Sequence, residues 1–190
     1  PARRADSAPA PAEEDVLQPP AQPSHALLFA AGDSVWTARK ASLAPSRRAV
    51  TLEAWVLVRD RGKQERTLPA RFRPVYSVVR LNSSWSFHLR LHRGRAIFGV
   101  GDDVSAERPL VYGRWHHLAG TYDAESRELR LYLDGERVGK RRTLLSGSVA
   151  GESASVSVGG RVSSTTGMPA KLPGFSVLID EVRYWSYART

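Results

Sequence analysis

The stretch WHHLAGTYDAESRELRLYLDG at residues 115–135 decides the fold class. Apolar and polar residues alternate with a period of two in both of its halves, which is the pattern of half-buried β-strands. Residues 122–127 predict a polar turn between the halves. Asp134-Gly135 then precedes ERVGK, and this dipeptide favours the two-residue turn of a β-hairpin. The stretch therefore predicts consecutive antiparallel strands.

Similar short runs recur along the chain and are rich in Val, Leu, Tyr, Trp and Phe. They lie at residues 26–29, 51–58, 75–81, 86–91, 96–100, 156–158 and 176–185. No stretch keeps a helical period. Many strands at this spacing without helices predict an antiparallel sandwich or barrel.

Alternation within each run predicts which side chains are exposed. In residues 86–91 the apolar side chains share one face, and His88, Arg90 and the following His92 share the other. In residues 128–133 Arg130 and Tyr132 lie opposite the leucines. Residues 51–58 are apolar on both faces apart from Glu53, which predicts a central strand.

Composition excludes several classes of protein. The chain has 190 residues, a net charge of +9 and no cysteine, so disulfides, thiolate metal sites and a cysteine nucleophile are excluded. No apolar run approaches the roughly 20 residues of a membrane helix. A domain this basic is attracted to polyanions, although arginine excess on a soluble surface has the same composition.

Residues 1–24 differ from the rest of the chain. They hold six of the twelve prolines and more acidic than basic residues, so the basicity belongs to residues 25–190. Such a segment buries too little apolar area to offset its ordering entropy. We therefore predict a Pro/Ala-rich lead-in or linker at 1–24 and one folded domain at 25–190. The lead-in fits either a segment behind a removed signal or a linker from a longer protein.

Four segments together resemble the laminin-G-like, concanavalin A-like jelly rolls of bacterial extracellular proteins. They are ALLFAAGDSV at 26–35, TLEAWVLV at 51–58, WHHLAGTYD with LYLDG at 115–135, and LIDEVRY at 178–184. The resemblance implies an all-β fold, a two-sheet antiparallel jelly-roll sandwich. It also implies an extracellular, periplasmic or cell-surface location.

The resemblance further suggests one structural calcium ion. In such jelly rolls a closing-strand Asp often binds calcium with backbone carbonyls of the opening strand, so Asp180 is the candidate carboxylate, with Gly32 and Asp33 as candidate partners. Calcium requires several oxygen ligands. The alternative is that Asp180 pairs with Arg183 or caps a turn.

Aromatic and histidine residues also have structural interpretations. We expect Trp55, Trp115, Tyr122 and Trp185 to be core anchors. His116 and His117 are neighbours on a strand and face opposite sides, so they cannot chelate one ion together. One is expected to be buried and hydrogen-bonded, and the other exposed.

The sequence lacks the motifs of the common hydrolase and nucleotide-binding sites. No strand carries two carboxylates on one face, as a glycosidase of this fold would require. We therefore expect no enzymatic activity.

Two functions are left open. The first is a lectin-like binding or adhesion module that prefers acidic glycans, with His88, Arg90 and His92 on one strand and Arg130 and Tyr132 on another as ligand-binding candidates. Basic residues in two predicted loops, at 59–74 and 137–142, add charge. The second is a structural or assembly module that binds a protein partner partly through residues 1–24. We do not expect specific nucleic-acid binding.

Overall fold

The computed structural model describes residues 25–29, 33–45, 48–59, 75–82, 86–92, 94–144, 153–159, 161–162, 169–170 and 176–189. For 75–80, 82, 161–162 and 169–170 only the backbone is described. The predicted lead-in and nearly all of the basic segment 59–74 lie outside the described residues. Within the described ranges no helix is long and apolar enough to cross a membrane.

The described residues form strands in two six-stranded sheets. The strands are β1 Leu27–Phe29, β2 Ser34–Trp36, β3 Ala49–Val58, β4 Val75–Asn82, β5 Ser86–His92, β6 Arg95–Val100, β7 Asp102–Ser105, β8 Trp115–Asp123, β9 Glu128–Leu133, β10 Glu136–Arg142, β11 Ser155–Gly159, β12 Arg161–Val162, β13 Pro169–Ala170 and β14 Val177–Trp185. The first sheet has the order β1-β14-β3-β8-β9-β10, and the second β2-β11-β4-β5-β6-β7; β12 and β13 pair separately. All of these pairings are antiparallel, and residues from both sheets form one core. The predicted all-β sandwich is confirmed.

Strand β3 is central, as its apolar sequence predicted. It lies between β14 and β8, and its inward side chains Val50, Leu52, Ala54 and Val56 are fully buried. The predicted alternation in β5 is also present, because Phe87, Leu89 and Leu91 are buried while the residues between them are half-buried.

The hairpin between β9 and β10 forms at the predicted dipeptide. Asp134 and Gly135 have φ angles of 53° and 84°, the left-handed region that this type of turn requires. Residues 137–142, whose charge we expected in a loop, belong to β10 and pair with β9.

The two sheets approach each other closely at Gly120. A β-carbon at this position would lie 2.1 Å from ring carbons of Phe98, which belongs to β6 of the opposite sheet. Phe98 is fully buried. The absence of a side chain at Gly120 therefore makes room for the Phe98 ring.

The expectation about the large aromatic residues is correct only for Tyr122, which is 1% exposed. Trp55, Trp115 and Trp185 are half-buried and lie on the outer face of the first sheet, the face directed away from the second sheet. The expectation of core positions was wrong for these three, because alternation along β3, β8 and β14 directs their neighbours Val56, His116 and Tyr184 inward instead.

The two adjacent histidines differ less in solvent exposure than predicted. His116 is buried; its Nδ1 lies 2.8 Å from Asp134 Oδ2, and its Nε2 lies 3.2 Å from the Val111 carbonyl oxygen. His117 is not exposed as expected, because its ring packs against Trp55 at a centroid distance of 5.2 Å. Only 15% of the His117 side chain is accessible to solvent.

Candidate functional site

The five predicted ligand-binding residues belong to two separate surfaces. His88, Arg90 and His92 lie in β5 of the second sheet, whereas Arg130 and Tyr132 lie in β9 of the first sheet. All five alternate with core residues and so lie on outer faces. The outer faces of a two-sheet sandwich point in opposite directions, so the two groups cannot contact one small ligand together.

On the second sheet, one carboxylate joins His88 and Arg90. Asp103 of β7 lies across β6 from His88, since both register with Gly99. Its Oδ1 is 2.8 Å from His88 Nε2, and its Oδ2 forms an ion pair with Arg90 Nη2. The side chains of His88, Arg90 and Asp103 are 18%, 28% and 39% exposed, so the group lies at the surface within reach of a ligand.

Gly99 makes this arrangement possible. A β-carbon at Gly99 would lie 2.3 Å from Asp103 Oδ1 and 2.4 Å from the Asp102 carbonyl oxygen. The Asp103 side chain therefore crosses β6 through the space that the glycine leaves open. Any larger residue at position 99 would displace the carboxylate from His88 and Arg90.

The contacts of Asp103 favour its ionised form and orient the side chains of His88 and Arg90. The hydrogen bond from His88 and the charge of Arg90 hold the pKa of Asp103 below its usual value, against the opposing effect of burial. A carboxylate only accepts hydrogen bonds, so His88 donates through Nε2 and a neutral ring leaves Nδ1 as an acceptor.

Arg90 retains unused donor capacity. Its Nε is buried and has no hydrogen-bond acceptor among the described residues. An unsatisfied buried donor is costly unless a ligand or solvent molecule supplies the acceptor. The neighbouring carboxylate of Asp102 does not fill this role, because it binds Arg141, Thr143 and the Leu144 N–H on the β10 side.

On the first sheet, Arg130 is held by a carboxylate of its own strand. Glu128 lies 2.7 Å from Arg130 Nη2 and 2.6 Å from Lys140 Nζ. The hydrogen bonds from Lys140 and from Arg130 lower the pKa of Glu128. Tyr132 lies next along the same face and opposite Arg137 of β10. Arg137 and Arg142 make no ion pair with any residue that the structure describes.

A cluster around Glu53 lies on this same outer face, and sequence reasoning did not anticipate it. Glu53 is 3% exposed, and its oxygens lie 2.9 and 3.1 Å from Arg189 Nη1. Trp185 Nε1 donates to it at 3.1 Å, and Arg183 Nη1 and His117 Nε2 are 3.6 and 3.9 Å away. The only sequence signal was one acidic residue in an apolar strand.

His117 gives this cluster a predicted pH dependence. Burial lowers the pKa of His117, against the opposing effect of Glu53 and Asp134. The unfolded chain therefore takes up a proton near pH 6.5 while the folded protein does not, so stability falls on acidification from about pH 6.5 through the folded pKa. We expect urea unfolding at pH 7.5, 6.5 and 5.5 to show a smaller loss for His117→Gln than for the wild type. Equal losses of stability in His117→Gln and in the wild type would contradict the assignment of this pH dependence to His117.

The predicted calcium site lies only partly within the described residues. Asp180 lies in β14 opposite Trp55, where the register between β14 and β3 shifts, and its Oδ1 accepts the Glu181 N–H at 2.8 Å. Asp33 precedes β2 of the second sheet, whereas Asp180 lies in β14 of the first sheet. Gly32 lies outside the described residues. No group of three or more His, Asp or Glu residues in the described ranges could hold a metal ion, and calcium binding stays a prediction.

Solved structures share this fold at low sequence identity. The binding domain of Paraclostridial Mosquitocidal Protein 1 is 11% identical over 87% of this chain and 41% of that chain, with a TM-score of 0.63. The SAP-like pentraxin of Limulus polyphemus is 14% identical, with a TM-score of 0.59 over 86% and 76% of the two chains. The carbohydrate-binding module of the Ruminococcus gnavus IT-sialidase, bound to α2,3-sialyllactose, is 12% identical, with a TM-score of 0.58 over 87% and 91%.

One curated protein is similar over a short stretch. The β subunit of N,N-dimethylformamidase from Alcaligenes sp. is 38% identical over 56 residues, which is 26% of this chain and 7% of that protein. The model of the concanavalin A-like lectin/glucanases superfamily matches residues 29–190. This match covers nearly all of the described sandwich, and the chain therefore belongs to that superfamily.

Proposed function

We propose that this domain is a non-catalytic module that binds acidic glycans on the outer face of its second sheet. The observation that carries the proposal is the group of His88 and Arg90 fixed on Asp103, with a buried Arg90 Nε that lacks an acceptor. A guanidinium that is held in one orientation is suited to bind a planar carboxylate group, or two oxygens of a sulfate group.

Each member of the group has a role in this proposal. Arg90 donates to the acidic substituent of the sugar. His88 accepts a hydrogen bond from a sugar hydroxyl through Nδ1, while Asp103 keeps both side chains oriented. Such pre-organisation reduces the entropy that binding costs. His92 continues the same face of β5 and lies opposite Arg95 of β6.

The contacts of the carboxylates at this site support the non-catalytic part of the proposal. Glycoside hydrolysis generally requires two carboxyl groups on either side of the scissile bond. Asp103 is engaged by both His88 and Arg90, and Asp102 is turned towards Arg141 and Thr143. The amidase activity named for the Alcaligenes relative belongs to a protein of which the matching stretch spans 7%.

Two comparisons support the choice of ligand class and location. A module of the same fold is bound to sialyllactose, an acidic oligosaccharide. Laminin domains also share the fold, with a TM-score of 0.57. We propose that the domain acts outside the cell or at its surface, where such glycans occur.

A glycan array tests the proposal at physiological salt, with sialylated, uronic-acid and sulfated oligosaccharides. The array should retain the wild-type domain on a defined subset of these oligosaccharides. Arg90→Ala should lower the retained amount of protein at least about tenfold, because one charge-assisted interaction is lost. Arg108→Ala removes the same charge from an exposed position outside the site and should have no effect. Arg90→Lys should give an intermediate result, because lysine keeps the charge but lacks the planar fork.

Two outcomes would overturn this proposal. One is equal retention by Arg90→Ala and Arg108→Ala, which would reduce binding to diffuse electrostatics. The other is no retention of any acidic glycan at physiological salt by the wild type.

A second candidate function is an assembly module within a larger protein. It is favoured by the basic outer face of β9 and β10, where Arg130, Arg137, Lys140 and Arg142 outnumber the single Glu128. It is also consistent with the small share of the Alcaligenes subunit that the matching stretch covers. An acidic protein partner should lose affinity for Arg137→Glu/Arg142→Glu but not for Arg90→Ala. A loss of affinity in Arg90→Ala but not in Arg137→Glu/Arg142→Glu would exclude this surface as the docking site.

A further inference from the structure

A row of residues crosses the outer face of the second sheet from one edge to the other. The register runs, strand by strand from β2 to β7, through Trp36, Ser157, Arg80, His88, Gly99 and Asp103. Register partners in an antiparallel sheet share a face. Trp36 therefore lies on the same face as the His88–Asp103–Arg90 group, at the β2 edge of the sheet.

Trp36 is unusual in its exposure. It is 58% accessible to solvent, whereas Trp55, Trp115 and Trp185 are half-buried. Its neighbour Val35 lies opposite Val158, which packs against the core, so only Trp36 of the pair is on the outer face. An exposed indole presents a flat apolar surface together with an N–H donor, the combination that suits a sugar ring.

The floor of the sheet between Trp36 and His88 has unused hydrogen-bonding capacity. Ser157 is 1% exposed, and its Oγ has no partner among the described residues. Buried hydroxyl groups are normally paired. Unpaired polar atoms thus occur both within this row, at Ser157, and beside it, at Arg90, on one face of one sheet.

The length of the row limits the size of the ligand. Neighbouring strands lie about 4.8 Å apart, so three steps from β2 to β5 place Trp36 about 14 Å from His88. A single pyranose ring cannot span this distance, but a trisaccharide laid across the strands can.

We infer that Trp36 forms a second subsite, and that the domain binds acidic oligosaccharides of at least three sugar units. The acidic unit binds at Arg90 and His88, and a sugar ring two units away stacks on Trp36. This inference rests on the proposed function, because it assumes that Arg90 holds the acidic group.

Calorimetric titration with α2,3-sialyllactose and with free N-acetylneuraminic acid tests the inference. The wild type should bind the trisaccharide more tightly than the monosaccharide. Trp36→Ala should weaken trisaccharide binding about tenfold, the effect of one aromatic contact, and leave monosaccharide binding unchanged. Tyr187→Ala removes an aromatic that is 51% exposed next to β14 of the first sheet, and it should alter neither affinity.

The outcomes separate this inference from the proposed function. An unchanged trisaccharide affinity in Trp36→Ala, or an equal loss for both sugars, would overturn the second subsite and leave the Arg90 site standing. Unchanged affinities in Arg90→Ala would overturn the proposed function itself. If the wild type bound neither sugar, the second subsite would be overturned, and the glycan array would still decide the proposed function. Thermal melting of each variant verifies that it is folded, since Trp36 is an exposed edge residue whose loss should barely change the melting temperature.

Discussion

Replacing Gly120 with alanine is expected to lower the free energy of unfolding by about 3 kcal/mol, the upper part of the range for overpacked cores. The added methyl group would lie 2.1 Å from the Phe98 ring. Phe98 is fully buried between the sheets and cannot move without displacing its neighbours. Urea unfolding should show a lower midpoint with little change in slope.

A double-mutant cycle verifies the cause of this loss. In a Phe98→Ala background the ring carbons that would lie 2.1 Å from the added methyl group are absent, so Gly120→Ala should cost clearly less than in the wild type. Gly113→Ala serves as a second control, because a β-carbon there contacts nothing within 4 Å and only the left-handed backbone angle is penalised. An equal cost of Gly120→Ala in both backgrounds would contradict the packing explanation.

Replacing Glu53 with glutamine is expected to lower the free energy of unfolding by about 2 to 3 kcal/mol. The change removes the charge that faces Arg189 and Arg183 while keeping the shape of the side chain. Breaking a buried ion pair from one side typically costs about 3 to 5 kcal/mol, and the partial exposure of both arginines reduces this figure. Chemical denaturation at pH 7.5 measures the effect.

Two further variants make this prediction specific. Glu181→Gln removes an exposed carboxylate that also pairs with Arg183, and it should cost less than about 1 kcal/mol. Glu53→Met combined with Arg189→Met should cost less than the sum of the two single changes, because no unpaired charge is left behind. Additive losses would show that the two residues act independently and would contradict the proposed cluster.

The structural features that could be predicted from the sequence are those set by residues close together along the chain. Alternation assigned the faces of β5 and β9, and Asp134-Gly135 located a hairpin turn. The apolar run of β3 predicted its central position. These features could be predicted because strand periodicity and turn geometry are local properties.

The parts of the site that depend on distant pairing could not be predicted. Nothing in the sequences of strands β5 and β9 shows that they belong to different sheets. His88 and Arg130 were therefore predicted as members of one ligand-binding group. The partner of Glu53 is Arg189, 136 residues away along the chain. The role of Gly99 became visible only when β7 was placed beside β6, and the polar sequence DDVS of β7 gave no strand signal.

An amide NMR titration with α2,3-sialyllactose measures directly where on the domain an acidic glycan binds. We predict that the largest shift changes occur at His88, Arg90, Gly99 and Asp103, with further changes around Trp36 and Ser157 in the second sheet. Amides of β9 and β10 should be unaffected. Shift changes concentrated at Arg130, Tyr132 and Arg137, or no saturable change anywhere, would contradict the account.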